Sequence, residues 1–322
     1  MQFETILPFL RPIEHLILDP DISEIMVNGG SQIFIEKRGQ LTQVQGVTIS
    51  EQALNAAVRN IARRLGDDIS EEKPILDSRL PDGSRVAAVL PPCSIDGITL
   101  TIRKFNTRHF TMTDLIENGT LTKSTAQFLC DKIISRQNIL ISGGTGSGKT
   151  TLLNILADSI PDDERILLIE DTAELNIRKS NLVRFETRRE QGGMPAVTVR
   201  ELLKAALRHR PDRIIVGEVR GGEAFDLLQA LNTGHAGSLC TLHANSARQA
   251  VTRFADRVLQ SGIELPHRAI LANISGAVDF MVHIGRVKGQ RTLSEIVVMK
   301  GFGNEKQECR LQVLNQQIQT SL

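Results

Sequence analysis

Residues Gly143-Gly144-Thr145-Gly146-Ser147-Gly148-Lys149-Thr150 satisfy the phosphate-binding pattern G-x-x-x-x-G-K-[ST] in full. Cradling a phosphate chain needs successive backbone N–H groups turned toward one point, and Gly143, Gly144, Gly146 and Gly148 free the chain to do that. Lys149 is expected to reach the β- and γ-phosphates, and the Thr150 hydroxyl to sit on Mg²⁺. The apolar run Asn138-Ile139-Leu140-Ile141-Ser142 precedes the loop. Thr151-Leu152-Leu153-Asn154-Ile155-Leu156-Ala157 follows it as a helix whose N-terminal end favours anions. Strand, loop and helix in that order argue against a chance glycine-rich turn. The chain is read as a nucleotide binder.

Three further segments carry groups that hydrolysis requires. Ile166-Leu167-Leu168-Ile169 ends in Glu170 and Asp171, with Glu174 just beyond. Carboxylates at the carboxyl end of a strand face the crevice where α/β sheets take ligands, and one could deprotonate or orient water; solvated turn acids or helix caps are the plainer reading. Arg213-Ile214-Ile215-Val216-Gly217-Glu218-Val219-Arg220 matches a second nucleotide motif whose acid holds Mg²⁺. Because position 218 is Glu rather than Asp, it could instead position water, and spacing alone does not divide these roles between Glu170 and Glu218. Thr233-Gly234-His235 through Thr241-Leu242-His243 brings two histidines to a small-residue strand. No cysteine or carboxylate nearby completes a metal set. A neutral imidazole near the γ-phosphate could report whether ATP or ADP is bound, His243 more than His235; a buried, merely hydrogen-bonded histidine is the plainer reading of either.

The elements that position these groups divide the chain in two, as 322 residues lead one to expect. Residues 1–105 read as a smaller α+β domain and 106–122 as a connector. Residues 123–322 read as an α/β domain wound around the phosphate loop. In the first domain, Glu24–Val27 and Ile33–Glu36 flank Asn28-Gly29-Gly30 as a hairpin. Glu51–Leu65 has helical spacing and stops at Gly66, and Pro81-Asp82-Gly83 and Asp96-Gly97 mark turns. The apolar start (Phe3, Ile6, Leu7, Phe9, Leu10, Ile13, Leu16, Ile17) is broken by Pro8 and Pro12. It is expected to pack on its own domain rather than lie on a membrane.

Composition narrows the partners. Net charge is +1, and the aromatic residues are all Phe, with no Trp or Tyr. Evenly spread charge and missing stacking platforms argue against direct nucleic-acid binding. The basic run from Arg178-Lys179 through Arg184 to Arg188-Arg189 is better read as a solvated or subunit-facing surface. No stretch approaches the roughly 18–20 apolar residues that span a bilayer, and no signal peptide is expected. Cys93, Cys130, Cys240 and Cys309 lack metal-like spacing and read as reduced thiols of a cytosolic protein.

In this order the phosphate loop, Ile-Glu-Asp box, Val-Gly-Glu-Val-Arg and Thr-Gly-His…Thr-Leu-His resemble the secretion ATPase superfamily of type II secretion, type IV pili and type IV secretion. Leu80-Pro81-Asp82-Gly83-Ser84-Arg85-Val86 and Thr101-Ile102-Arg103-Lys104-Phe105 resemble its type IV secretion branch, most like the conjugative-transfer members. The resemblance implies a RecA-like ATPase domain behind the smaller one, ATP and Mg²⁺, and a homo-hexameric ring. That ring would work on inner-membrane components from the cytoplasmic face. It also implies Lys149 and Thr150 as phosphate and Mg²⁺ ligands, Glu170 as the catalytic carboxylate and Glu218 as its metal-site partner. His243 becomes the nucleotide sensor, Arg85 and Arg103 the arginines that approach the phosphates, and Arg220 and Arg210 neighbours of a subunit boundary. Alternatives are a pilus assembly or retraction motor, a RecA-like nucleic-acid translocase, and a nucleotide-regulated scaffold with negligible turnover.

Overall fold

The computed structural model describes residues 6–37, 40–105, 110–188, 190, 194–287, 289–303, 305 and 307–314. Phe3 and Arg189 lie outside them. The chain divides into two compact units, Met1–His109 and Phe110–Leu322.

The first unit opens with two single-turn 3₁₀ segments, Leu7–Phe9 and Arg11–Ile13, and helix α1 (Glu14–Leu18). Proline near each 3₁₀ start removes a donor where none is needed. Strands β1 (Ile22–Asn28), β2 (Gln32–Lys37) and β3 (Gln40–Val44) follow, then helix α2 (Glu51–Arg64) and strands β4 (Ile75–Arg79), β5 (Arg85–Val89) and β6 (Thr99–Arg103). Among the described residues they form one antiparallel sheet in the order β3-β2-β1-β6-β5-β4. The β1–β2 hairpin turns at Gly29 (φ 59°) and Gly30 (φ 77°), conformations that glycine takes without steric cost. The Ser50 hydroxyl caps α2 by accepting from Ala53 N at 3.3 Å, and Gly66 (φ 71°) follows its end. Its apolar stripe, Leu54, Ala57, Val58 and Ile61, is buried in the same core as Ile6, Leu10, Ile13 and Ile17. The apolar N-terminal segment therefore packs on its own sheet.

The second unit begins with α3 (Met112–Glu117) and α4 (Lys123–Ile134). There follow β7 (Ile139–Gly143), α5 (Lys149–Ala157), β8 (Ile166–Glu170), β9 (Leu182–Glu186), α6 (Val199–Ala206), β10 (Arg213–Val219), α7 (Glu223–Asn232) and β11 (Leu239–His243). Helices α8 (Ala247–Leu259) and α9 (His267–Ala277) and strands β12 (Phe280–Val287), β13 (Gln290–Gly303) and β14 (Glu308–Val313) complete it. The sheet order is β14-β13-β12-β7-β11-β10-β8-β9, parallel from β12 to β9 and antiparallel at β13 and β14. Its central strands are near-continuous apolar runs because helices cover both faces. Leu140, Leu167, Ile169, Ile214 and Val216 face the core shared with α6, α7, α8 and α9. Ile139, Ile141, Ile166, Leu168 and Ile215 face that shared with α3, α4 and α5.

At the amino end of β10, Arg213 is 0% exposed. Its Nε and Nη2 donate to Glu164 at 2.5 and 3.0 Å, and its Nη1 donates to the Ile133 carbonyl at 2.6 Å. The β12–β13 hairpin is tied to the segment between α3 and α4. Gln290 Nε2 donates to Asn118 O at 2.6 Å and Leu293 N to Thr120 O at 2.8 Å.

Candidate nucleotide site

Strands β7, β11, β10 and β8 lie side by side and parallel. Their carboxyl ends bring the phosphate loop, His243, Glu218 and Glu170 to one edge of the sheet, where open α/β sheets bind ligands. In the loop, Gly146 has φ 66° and Gly148 φ 101°. At position 143 any Cβ would run into the Ile284 carbonyl oxygen and the Ser147 hydroxyl, so β7 and β12 approach as only glycine permits. Ser147 Oγ donates to Gly144 O at 2.9 Å and braces the turn. Lys149, 7% exposed, donates its Nζ to Gly143 O at 3.0 Å and Gly144 O at 2.8 Å. Burial lowers its pKa; the charge of Glu218 opposes that shift and Arg220 adds to it. Thr150 and Thr151 are half-buried in the first turn of α5. Turned backbone, a buried ammonium and a helix N-terminus form a donor set that fits a phosphate chain.

Glu218 is the hub of the acidic side. Its Oε1 lies 2.8 Å from His243 Nε2, and its Oε2 accepts from Arg220 Nε and Nη2 at 2.9 and 2.7 Å. Arg220 also stands 3.4 Å from Asp171. The His243 pKa is lowered, first by burial and then by the charge of Lys149, against the pull of Glu218. His235 precedes the amino end of β11 and its Nδ1 lies 3.2 Å from Ala230 O. The two histidines therefore stand at opposite ends of the strand, roughly 13 Å or more apart at strand rise.

Glu170 is 3% exposed. Its Oε1 accepts from Glu174 N at 2.8 Å and Leu175 N at 2.9 Å, which folds the following loop over it. Oε2 has no hydrogen bond among the described residues, and Arg184 Nη2 is 3.6 Å away. Burial raises the Glu170 pKa against those two backbone donors and Arg184. Gly217 lets β10 come this close, since a Cβ there would sit 3.1 Å from Glu170 Cγ.

One model, the Type II/IV secretion system protein family, matches residues 9–300. The chain belongs to this family. Conjugal transfer protein TrbB of Rhizobium radiobacter is 37% identical over 291 residues, 89% of this chain and 86% of that protein. Type IV secretion system protein VirB11 of Bartonella henselae is 32% identical over 327 residues, 90% and 92% of the two chains. A longer relative from Methanocaldococcus jannaschii is 42% identical over 245 residues, 74% of this chain and 34% of that protein. Among solved structures, the ATPase DotB of Legionella pneumophila has a TM-score of 0.64 at 23% identity, covering 94% of this chain and 83% of that one. The shared fold is thus the secretion-ATPase arrangement of an N-terminal domain and a RecA-like domain.

The arginines expected at the phosphates lie in the first unit of this secretion-family chain. Arg85 and Arg103 are register partners on β5 and β6. Asp77 on β4 holds the Arg85 guanidinium with both oxygens, at 2.7 Å each. Arg103 pairs in register with Glu24 on β1. Arg210, exposed with φ 53°, ends the segment before β10.

Sequence reading missed a polar row behind the loop. Ser142, His283 and Glu295 are register neighbours across β7, β12 and β13. Ser142 Oγ and His283 Nδ1 are 2.9 Å apart, and Glu295 Oε2 accepts from Ala247 N, the first residue of α8, at 2.7 Å. Ser246 Oγ caps the same helix by accepting from Gln249 N at 3.0 Å. Nothing in spacing links residues 141 positions apart; only the strand order does. The pairing of Glu218 with Arg220, by contrast, was available from the two-residue period of a strand.

Proposed function

We propose that this chain is a Mg²⁺-dependent ATP hydrolase that works as a homo-hexameric ring. It energises a type IV secretion or conjugative-transfer apparatus from the cytoplasmic face of the inner membrane. The observation that carries the reading is the convergence of the phosphate loop, Glu170, Glu218 and His243 at the ends of four adjacent parallel strands. The names of its relatives, a conjugal transfer protein and a type IV secretion protein, supply the apparatus. No helix among the described residues is long and apolar enough to cross a membrane.

Thr150 and Glu218 would hold Mg²⁺, which neutralises charge on the phosphates when bound. Lys149 binds the β- and γ-phosphates. Glu170 accepts a proton from water: its pKa is raised, Oε1 is locked by two backbone donors, and Oε2 has a lone pair to offer. His243, tied to Glu218, reports the state of the terminal phosphate. The family resemblance extends the proposal to Arg85 and Arg103 as guanidiniums that stabilise transition-state charge.

The test is Mg-ATP hydrolysis per subunit against protein concentration, with light scattering on the same samples. Protein must be quantified by a dye or by amino-acid analysis, because Trp and Tyr are absent. A specific rate that rises as a hexamer appears supports the ring. Lys149→Ala should abolish nucleotide binding, and Glu170→Gln should cut turnover by about 10²–10³-fold with ADP affinity retained. Wild-type turnover in either variant would sink the assignment.

A further inference from the structure

Resting on the nucleotide reading above, we propose that Arg286 and Arg291, paired across the β12–β13 hairpin, grip the α-phosphate of the nucleotide from within the same subunit. The two residues stand opposite each other in the antiparallel register. Like charges in that position repel. Both side chains are exposed, and neither pairs with a carboxylate among the described residues. An anion held between them would relieve the repulsion.

Their place is over the phosphate loop. Arg286 Nη2 lies 3.4 Å from Gly146 O. Arg291 lies along Gly148, where a Cβ would sit 3.3 Å from its Cδ and 3.7 Å from its Nε. The two guanidiniums thus flank the two positive-φ glycines of the loop. The hairpin that carries them is anchored through Gln290 to Asn118 and through Leu293 to Thr120.

The layout of charge fixes which phosphate they meet. The Lys149 ammonium feels the charges of Glu218 and Arg220, and Glu218 lies 2.8 Å from His243. These groups stand at the ends of β10 and β11, on one flank of β7, so the terminal phosphates point that way. Strand β12 is on the other flank. A nucleotide crossing the loop then presents its α-phosphate beside Arg286 and Arg291, and a guanidinium fork matches phosphate oxygens.

The experiment is calorimetric titration of the full chain with ADP and with a slowly hydrolysed ATP analogue, plus steady-state ATP hydrolysis. Arg286→Ala and Arg291→Ala should each weaken both ligands alike, by about tenfold, because both carry the α-phosphate. KM should rise by the same factor while kcat stays within about twofold. Arg→Lys at either site should restore part of the affinity, and thermal melts establish that each variant is folded. Wild-type ADP affinity in both folded alanine variants overturns the proposal. So does a fall in kcat with KM unchanged, which would move the arginines to the transferring phosphate. Failure of the unmodified chain to bind ADP overturns the nucleotide reading and this proposal with it.

Discussion

Replacing Arg213 by Met should cost the second unit about 3 kcal/mol of stability. Arg213 is fully buried, and Glu164 keeps only 8% of its side chain exposed. Removing one partner of such a pair leaves a buried, uncompensated charge, typically at about 3–5 kcal/mol. The low end applies here because Arg136 remains 3.4 Å from Glu164 with its side chain half exposed. For a unit of this size, that is a drop of roughly 6–12 °C in melting temperature. Far-UV circular dichroism or calorimetry would follow it, since the chain offers no tryptophan signal. Two controls isolate the cause. Arg213→Met with Glu164→Leu removes both charges and should recover most of the loss. About 1–2 kcal/mol should remain, because Ile133 O and Gly237 O lose a donor. The second control is pH. The hydrogen bond and charge of Arg213 hold the Glu164 pKa below its ordinary 4.5. Its contribution is therefore complete above about pH 4.5 and is lost as pH falls through the folded-state value. The gap between wild type and Arg213→Met should narrow over that acid range, as Glu164 becomes neutral in both. Equal destabilisation of single and double variants, or a gap independent of pH, would refute the reasoning.

Gly143→Ala should lower the melting temperature by several degrees, since its Cβ meets the Ile284 carbonyl. Gly144→Ala, with nothing within 4 Å of its Cβ, should leave the melting temperature within about a degree. Equal melting of the two variants would contradict the close approach of β7 and β12. Thiol titration at pH 8 should find Cys93 reactive first, because it is exposed. Cys240 should react only on unfolding, because burial pushes its thiol up to about 12. Rapid labelling of Cys240 in the native chain would place it elsewhere.

The phosphate loop was legible in full because its requirement is local: glycine torsions, one lysine and one hydroxyl in consecutive residues. Glu170, Glu218 and His243 were legible as acids and an imidazole ending apolar runs. The strand order β7-β11-β10-β8 that sets them side by side was not, because no spacing records it. The orientation of Glu170 escaped for a related reason. Its Oε1 partners, Glu174 N and Leu175 N, are backbone groups supplied by a loop whose path the sequence does not specify. The meeting of Ser142 with His283, and the placing of Arg286 and Arg291 over the loop, join strands whose residues are more than a hundred positions apart in the chain.

His243 stands on backbone that is fixed on both sides. Upstream, it pairs in the ladder with Gly143, the first residue of the phosphate loop. Downstream, α8 begins under two caps, Ser246 and Glu295, the second reaching in from β13. What the backbone leaves to move is the imidazole, which sits 2.8 Å from Glu218 and is 45% exposed. Holding one such ring in place costs on the order of 1 kcal/mol of conformational entropy, whereas ordering even a short loop costs about 1–2 kcal/mol for each residue. A histidine mounted this way answers a phosphate by turning a single rotor. Under the sensing role proposed above, most of the contact's free energy would stay available for movement instead of being consumed in ordering the ring.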